Sequence, residues 1–327
     1  MSTYRKQTAK LQLWLGKLKS DDDDHLGAIV EYNKSIQVDP ANPSGWLLRA
    51  ESKIAMGDLN GAFNDLNQAI VLKEDFAKAY FHRGFIQERI GDFDQAIQNF
   101  DTAIKIKNNF VDARFHRGLV KRYLKDKHAD DDLKDSLVQS KYKEEITNIN
   151  DLIAQINDYV EKKRHCDNIL INDPQNIKAY LDRALLKETN DDYSGAIEEY
   201  NKVIEIDPGH IEALMNRGLL EKEIGMLEAA IVDFGNILTK DPKNKDALGR
   251  RGLTKVKQGD IHGAIEDFTS VINIDNTHIE AHFYRGQAKC DSDDLIGGIE
   301  DINFVITNYR DTNESYLIRA AAWEKLG

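Results

Sequence analysis

The stretch YFHRGFIQERIGDFDQAIQNF, Tyr80 to Phe100, keeps returning down the chain. Thirty-four residues later Arg114 opens RFHRGL, and further on come YLDRAL from Tyr180, LMNRGL from Leu214, LGRRGL from Leu248 and HFYRGQ from His282. The second half returns as DYSGAIEEY, MLEAAIVDF and DIHGAIEDF. A fixed period of this length leaves few folds open. One supersecondary unit is copied in tandem, and each copy shelters its apolar side on the next.

Each unit reads as two helices. The first opens near a large residue such as Trp46, Tyr80, Tyr180, Leu214 or Leu248, and a small residue follows four places on, as in Tyr80–Gly84 and Leu214–Gly218. Spacings of three to four and seven define one helical face. Turns at Gly57-Asp58 and Gly91-Asp92, and again at Asp191-Asp192, Gly225-Met226, Gly259-Asp260 and Asp293-Asp294, step by 34 residues within each set. The second helix carries Ala96, Phe100, Ala103 and Ile104, or their equivalents Ala62, Leu66, Ala69 and Ile70. Pro40, Pro174, Pro208 and Pro242 stop it, because proline cannot continue a helix. A helix of about 14 residues is marginal alone in water. Stacking supplies the missing stability: Gly84, Gly118, Gly218, Gly252 and Gly286 allow close approach, and Phe100, Phe234 and Phe268 fill the space opposite.

These residues resemble the tetratricopeptide repeat: the large residue opening the first helix, the Gly or Ala four later, the Ala-then-aromatic pair of the second helix, the closing Pro and the period. The resemblance covers almost the whole chain. It implies an all-α fold, a right-handed superhelical solenoid of antiparallel helix pairs with a concave groove lined by the first helices. About nine units are expected, in an N-terminal block over 1–127, irregular units over 128–176 and a second block over 177–311. Residues 312–327 read as the start of a further repeat or a cap, and Leu317, Ala320 and Trp323 favour an array that continues in a longer protein. The fourth unit loses register in KDKHADDDLKDS. The fifth keeps Ile146, Ile149, Ile153, Ile156 and Val160 at coiled-coil spacing, with a turn expected at Asn157-Asp158-Tyr159. The alternative there is one longer helix that recruits a partner or a second copy through residues 143–165.

Composition narrows the function. A net charge of −12 and a pI of about 5.3 argue against nucleic-acid binding. The two cysteines, Cys166 and Cys290, have no disulfide or zinc spacing, so a reducing, cytoplasmic setting is expected. No apolar run suggests a signal peptide or a membrane span. HIEAH at His278–His282 lacks the zinc-protease pattern, and DDDDH at Asp21–His25 lacks the spacing of a calcium loop. No cofactor, metal or catalytic set is expected.

Two constellations remain. An arginine precedes the small residue of the first helix, as Arg49, Arg83, Arg117, Arg183, Arg217, Arg251, Arg285 and Arg319. An acid recurs in the second helix, as Glu31, Asp65, Glu199, Asp233, Asp267 and Asp301. A structural ladder of Arg–carboxylate pairs is the favoured reading, and a row of arginines gripping an acidic ligand is the alternative. The resemblance also places a partner-binding groove on Leu47, Glu51, Phe81, His82, Phe85, Arg89, Phe115, His116, Leu119, Arg122, Leu181, Leu185, Met215, Leu219, Leu253 and Phe283. Its densest part is Phe81, Phe85, Phe115 and Leu119. A family clamp for C-terminal carboxylates is not expected, since Leu181, Leu185 and Asp246 depart from its pattern while Asn216 and Arg250 match. The reading is a non-enzymatic scaffold holding a peptide or helix of a protein partner. The alternatives are the repeat portion of a longer enzyme, such as a glycosyltransferase or phosphatase, and a subunit of a cytoskeletal, ciliary or secretion assembly.

Overall fold

A computed structural model describes residues 3–126, 128–137, 148–309 and 313–327, and all regular structure among them is helical. Ile146 and the rest of 143–147, expected to form part of a self-associating seam, lie outside the described residues, as do Lys127 and Asp311. The chain divides into two compact units, Met1–Glu199 and Tyr200–Gly327.

The first unit runs α1 (Thr3–Asp21), α2 (His25–Val38), α3 (Pro43–Ala55), α4 (Leu59–Leu72), α5 (Ala77–Ile90), α6 (Phe93–Ile106), α7 (Val111–Tyr123), α8 (Ala129–Leu137), α9 (Ile149–Asn172) and α10 (Ile177–Glu188). Helix α11 (Tyr193–Ile206) contains the boundary between units. The second unit continues with α12 (Ile211–Glu223), α13 (Leu227–Lys240), α14 (Lys245–Gln258), α15 (Ile261–Ile274), α16 (Ile279–Asp291), α17 (Leu295–Asn308) and α18 (Asn313–Leu326). In each unit successive helices pack as hairpins, and each hairpin stacks on the next. Adjacent first helices also touch, α3 on α5, α5 on α7, α12 on α14 and α14 on α16, whereas adjacent second helices make no comparable contact. The first helices therefore line the inside of the bend in each unit.

Local chemistry sets the hairpin. Asp24, Asp58, Asp192, Asp260 and Asp294 each accept a hydrogen bond from the backbone N–H of the glycine three residues on, at 2.8–3.1 Å. That caps the second helix at its N-terminus. Before the cap a residue takes left-handed φ, from Gly57 at 78° and Gly91 at 82° to Asp23 at 61° and Asp191 at 55°. Across the hairpin a Cβ on Gly84 or Gly252 would lie 2.8 Å from the ring of Phe100 or Phe268. Glycine is what lets these helices approach.

The register is not continuous. Left-handed residues stand at 23, 57, 91 and 125, then at 191, 225, 259 and 293. The step from 125 to 191 is 66 residues, two short of two 34-residue periods. The missing turn is the one expected at Asn157-Asp158-Tyr159. That expectation is corrected: α9 is a single helix of 24 residues straight through it. Lys162 bonds Asp158 at 2.7 Å along the helix.

Candidate protein-binding face

The arginines lie between helices and not on the inner face. Arg49, Arg217, Arg251 and Arg285 each place Nε and Nη2 on both oxygens of an aspartate 16 residues on, at 2.6–2.9 Å. The Nη1 groups of Arg49, Arg217 and Arg285 reach back 16 residues to the preceding repeat, to Asn33, Asn201 and Thr269. Arg183 reaches Glu199 through Nη2 and Asp167 through Nη1, both at 2.6 Å, with its buried Nε left unpartnered, and Arg117 forks onto Asp132, 15 residues on, and reaches back to Asp101. Arg83 uses Asn99 and Asn67, and Arg319 reaches Asn303. One planar guanidinium thus ties three helices, its own, its hairpin partner and the preceding second helix. In the carboxylate-paired rungs the side chains are three-quarters or more covered. Glu31 has no such rung because the arginine position of its repeat is Leu15, and it bonds Lys34 and Lys19 instead.

The inner face of the first unit is filled by its own chain. Leu47 is buried in the core with Ala50, Leu59 and Ile86. Glu51 bonds His82 at 3.0 Å. Burial works against its charge, but the His82 bond wins and holds its carboxyl below the usual range. Phe81 packs its ring 5.0–6.1 Å from His82, Phe100, Phe110 and His116, and His116 bonds Glu88 at 2.7 Å. Phe115 and Leu119 are buried beneath Ile149, Leu152, Ile153 and Ile156 of α9. The stripe that reads as a coiled-coil seam is the face α9 lays on this groove.

A polar set fastens the arrangement. Arg89 lies over Phe85 and bonds Asp191 at 3.0 Å, while Asn190 donates to the Arg89 carbonyl. Lys163 donates to the Ile90 carbonyl at 2.9 Å, and the N–H of Tyr193 donates to the Gly57 carbonyl at 3.1 Å. The turn after α10 therefore returns onto the turns after α3 and α5. Tyr159 is enclosed there, and burial, with the charges of Asp192, Asp167 and Glu199 behind it, pushes its hydroxyl up to about 12. Arg122 pairs with Asp130 at the edge. Leu181 is half-buried and Leu185 is 58% exposed, beside a cleft of about 520 Å³ formed with Lys162, His165 and Cys166.

The pair of substitutions Ile153→Asp and Ile156→Asp should free α9. Burying a carboxylate on Phe115 and Leu119 is unfavourable, and each isoleucine contributes about 1–2 kcal/mol of apolar burial. Hydrogen exchange should then quicken over residues 111–123 and 149–160 and stay unchanged over 261–308.

The second unit keeps its inner face open. Met215, Leu219, Leu253 and Phe283 are half-buried along it, the first two packed in part on the core beneath. A cleft of about 220 Å³ lies among Asp246, Gly249, Arg250, Leu253 and Tyr284, and a neighbouring one of about 310 Å³ among Glu280, Phe283, Tyr284, Tyr309 and Glu314. Glu212, Asp246, Glu280 and Glu314 recur every 34 residues and are all exposed. They give this face one acidic margin.

A family model for the TPR repeat matches residues 50–91, and a tetratricopeptide repeat model matches residues 77–110 and 177–210. The chain carries tetratricopeptide repeats over residues 50–110 and 177–210. It is similar in structure to the TPR domain of P58(IPK), 16% identical over 97% of this chain and 98% of that one, with a TM-score of 0.39. A tetratricopeptide repeat protein from Parabacteroides merdae ATCC 43184 is 14% identical over 97% and 99% of the two chains, with a TM-score of 0.36. The first TPR of Spaghetti (RPAP3), bound to the HSP90 peptide SRMEEVD, is 22% identical over 37% of this chain and 95% of that one, with a TM-score of 0.36. No curated protein matches the chain.

The remaining motifs serve the repeats. His278 caps α16, accepting from the Ala281 N–H at 3.2 Å, and His282 bonds Asp301 at 2.9 Å. Asp24 of the acidic run caps α2. Cys166 and Cys290 are buried, and burial raises both thiols. Among the described residues no His, Cys, Asp or Glu group is placed to hold a metal ion, and no helix is long and apolar enough to cross a membrane. Of the backward partners of the arginines in this TPR array, Asn33, Asn67, Asn201, Thr269 and Asn303 carry no charge, and Asp101 and Asp167 stand outside the recurring acid position, so a search for that acid misses them. Their recurrence 16 residues before every arginine but Arg251, where Gly235 stands, is the signal that finds them.

Proposed function

We propose that the chain is a non-enzymatic scaffold and that the inner face of its second unit takes a peptide or helical segment of a protein partner. The observation that carries the reading is the contrast between the two inner faces. Phe115 and Leu119 of the first are covered by α9, whereas on the second Leu253 and Phe283 are half-buried and each lines a cleft. Apolar anchors spaced along an extended or helical ligand suit such a trough. The acidic margin of Glu212, Asp246, Glu280 and Glu314 favours basic residues beside those anchors.

Peptides selected from a displayed random library against the whole chain should carry apolar anchors flanked by lysine or arginine. The double substitution Leu253→Ala and Phe283→Ala removes two central anchors, each worth about 2 kcal/mol as a hot spot, and should weaken binding by roughly 1,000-fold. Circular dichroism should show the helices intact. Unchanged affinity for the double variant would refute the reading.

A further inference from the structure

In the seven hairpins whose arginine meets a second helix, the position four residues after the arginine follows a rule with one exception. Lys53, Lys121, Lys187, Lys255 and Lys289 place Nζ 2.6–3.1 Å from the second-helix acid of the same hairpin. Where that acid is the neutral Asn99, the lysine is replaced by the neutral Gln87, which accepts from Asn99 Nδ2 at 2.6 Å. The α12–α13 hairpin breaks the rule, because Glu221 stands opposite Asp233.

Two carboxylates there share one guanidinium. Arg217 spends Nε and Nη2 on Asp233, both at 2.6 Å, and its Nε lies 3.8 Å from Glu221. Glu221 is 5% exposed and its Oε2 has no hydrogen-bond partner. The charged groups facing it are Arg217 from α12 and Asp233 from α13. Helix α11 presents Asn201, which is uncharged and bonded to Arg217 Nη1. Helix α14 brings Arg251 up to Gly235, but Asp267 holds that guanidinium.

We propose that Glu221 is a proton switch in the second unit: protonated, it lets α12 and α13 close on the Arg217–Asp233 pair, and ionised, it loosens that hairpin. Burial, with the charge of Asp233 behind it and Arg217 opposing, pushes the carboxyl up to about 7. The sign follows from linkage. A carboxyl raised in the folded state contributes stability that is full below its unfolded value, ordinarily about 4.3, and is lost as pH rises through about 7. Helix α12 also carries Met215 and Leu219, so the same proton reaches the inner face. That extension rests on the proposed groove, and the experiment reads the hairpin alone, so the two can fail separately.

Hydrogen exchange over residues 211–240 of the whole chain, corrected for intrinsic rates, tests the switch between pH 5.5 and 8.5. The opening equilibrium of wild type should rise on the order of tenfold across that range. Glu221→Gln should flatten the profile, and Glu221→Lys, which restores the rule, should flatten it and give greater protection above pH 7. Replacing sodium and potassium by choline at pH 8 should change nothing. A flat wild-type profile, a pH slope retained in Glu221→Gln, or a dependence on the metal cation in place of the proton would overturn the proposal.

Discussion

Replacing Asp301 by alanine should cost the second unit about 3–5 kcal/mol, read as a lower urea midpoint, because it strands buried cations without their counter-charge. Asp301 is the most heavily engaged acid of the ladder. Arg285 donates to both its oxygens at 2.6 and 2.8 Å, Lys289 lies 2.9 Å away and His282 bonds it at 2.9 Å. Burial acts to raise its carboxyl, but these three partners outweigh burial and hold it below the usual carboxylate range. Its stabilisation is therefore present above the unfolded carboxylate pKa and lost as pH falls through the lower folded one. The third repeat suggests the rescue. There Asn99 and Gln87 replace the acid and the lysine, and Arg83 still bonds the Asn99 oxygen at 2.8 and 2.9 Å. Asp301→Asn combined with Lys289→Gln should recover most of the loss, whereas Asp301→Asn alone should not. A loss below about 1 kcal/mol for Asp301→Ala would show the rung to be ornamental.

The second large effect is steric. Phe268 is 1% exposed and fills the space above Gly252. Phe268→Ala should cost about 3–5 kcal/mol, the range for emptying a buried aromatic site. The reverse error, Gly252→Ala, pushes a methyl to 2.8 Å from the Phe268 ring and should cost about 1–3 kcal/mol. Joined with Phe268→Leu it should cost less than the sum of the separate losses, since a smaller residue opposite makes room. The chain already uses that pairing at Ala50 and Leu66, both fully buried in one cluster. Unfolding of the whole chain by calorimetry, with both singles and the double, measures the coupling.

Features locked to the repeat were legible because each copy repeats the same local chemistry. The small residue at Gly84, the ring at Phe100 and the arginine at Arg83 sit at fixed offsets, and a period exposes fixed offsets. The course of α9 was not legible. Its two-residue slip is hidden because Pro174 and Tyr180 resume the pattern in the new register, as though a turn had intervened. Local spacing shows that Ile149, Ile153 and Ile156 share a face. It does not show what that face meets, because the contact with Phe115 and Leu119 spans more than 30 residues of chain. The aromatic row at Phe81, Phe85 and Phe115 is ambiguous for the same reason: a ring on an inner face is equally suited to a ligand and to a helix of its own chain. Glu221 stood in plain view among lysines, but its meaning depends on Asp233 lying opposite with only one guanidinium between them.

The proposed binding surface is tested most directly by photo-crosslinking. Benzoylphenylalanine is placed at Leu253 or Phe283 on the inner face, or at the exposed Val232 or Ile296 of the second helices. A selected apolar, basic peptide should crosslink from positions 253 and 283 and not from 232 or 296. Crosslinks from 232 and 296 alone would contradict the account.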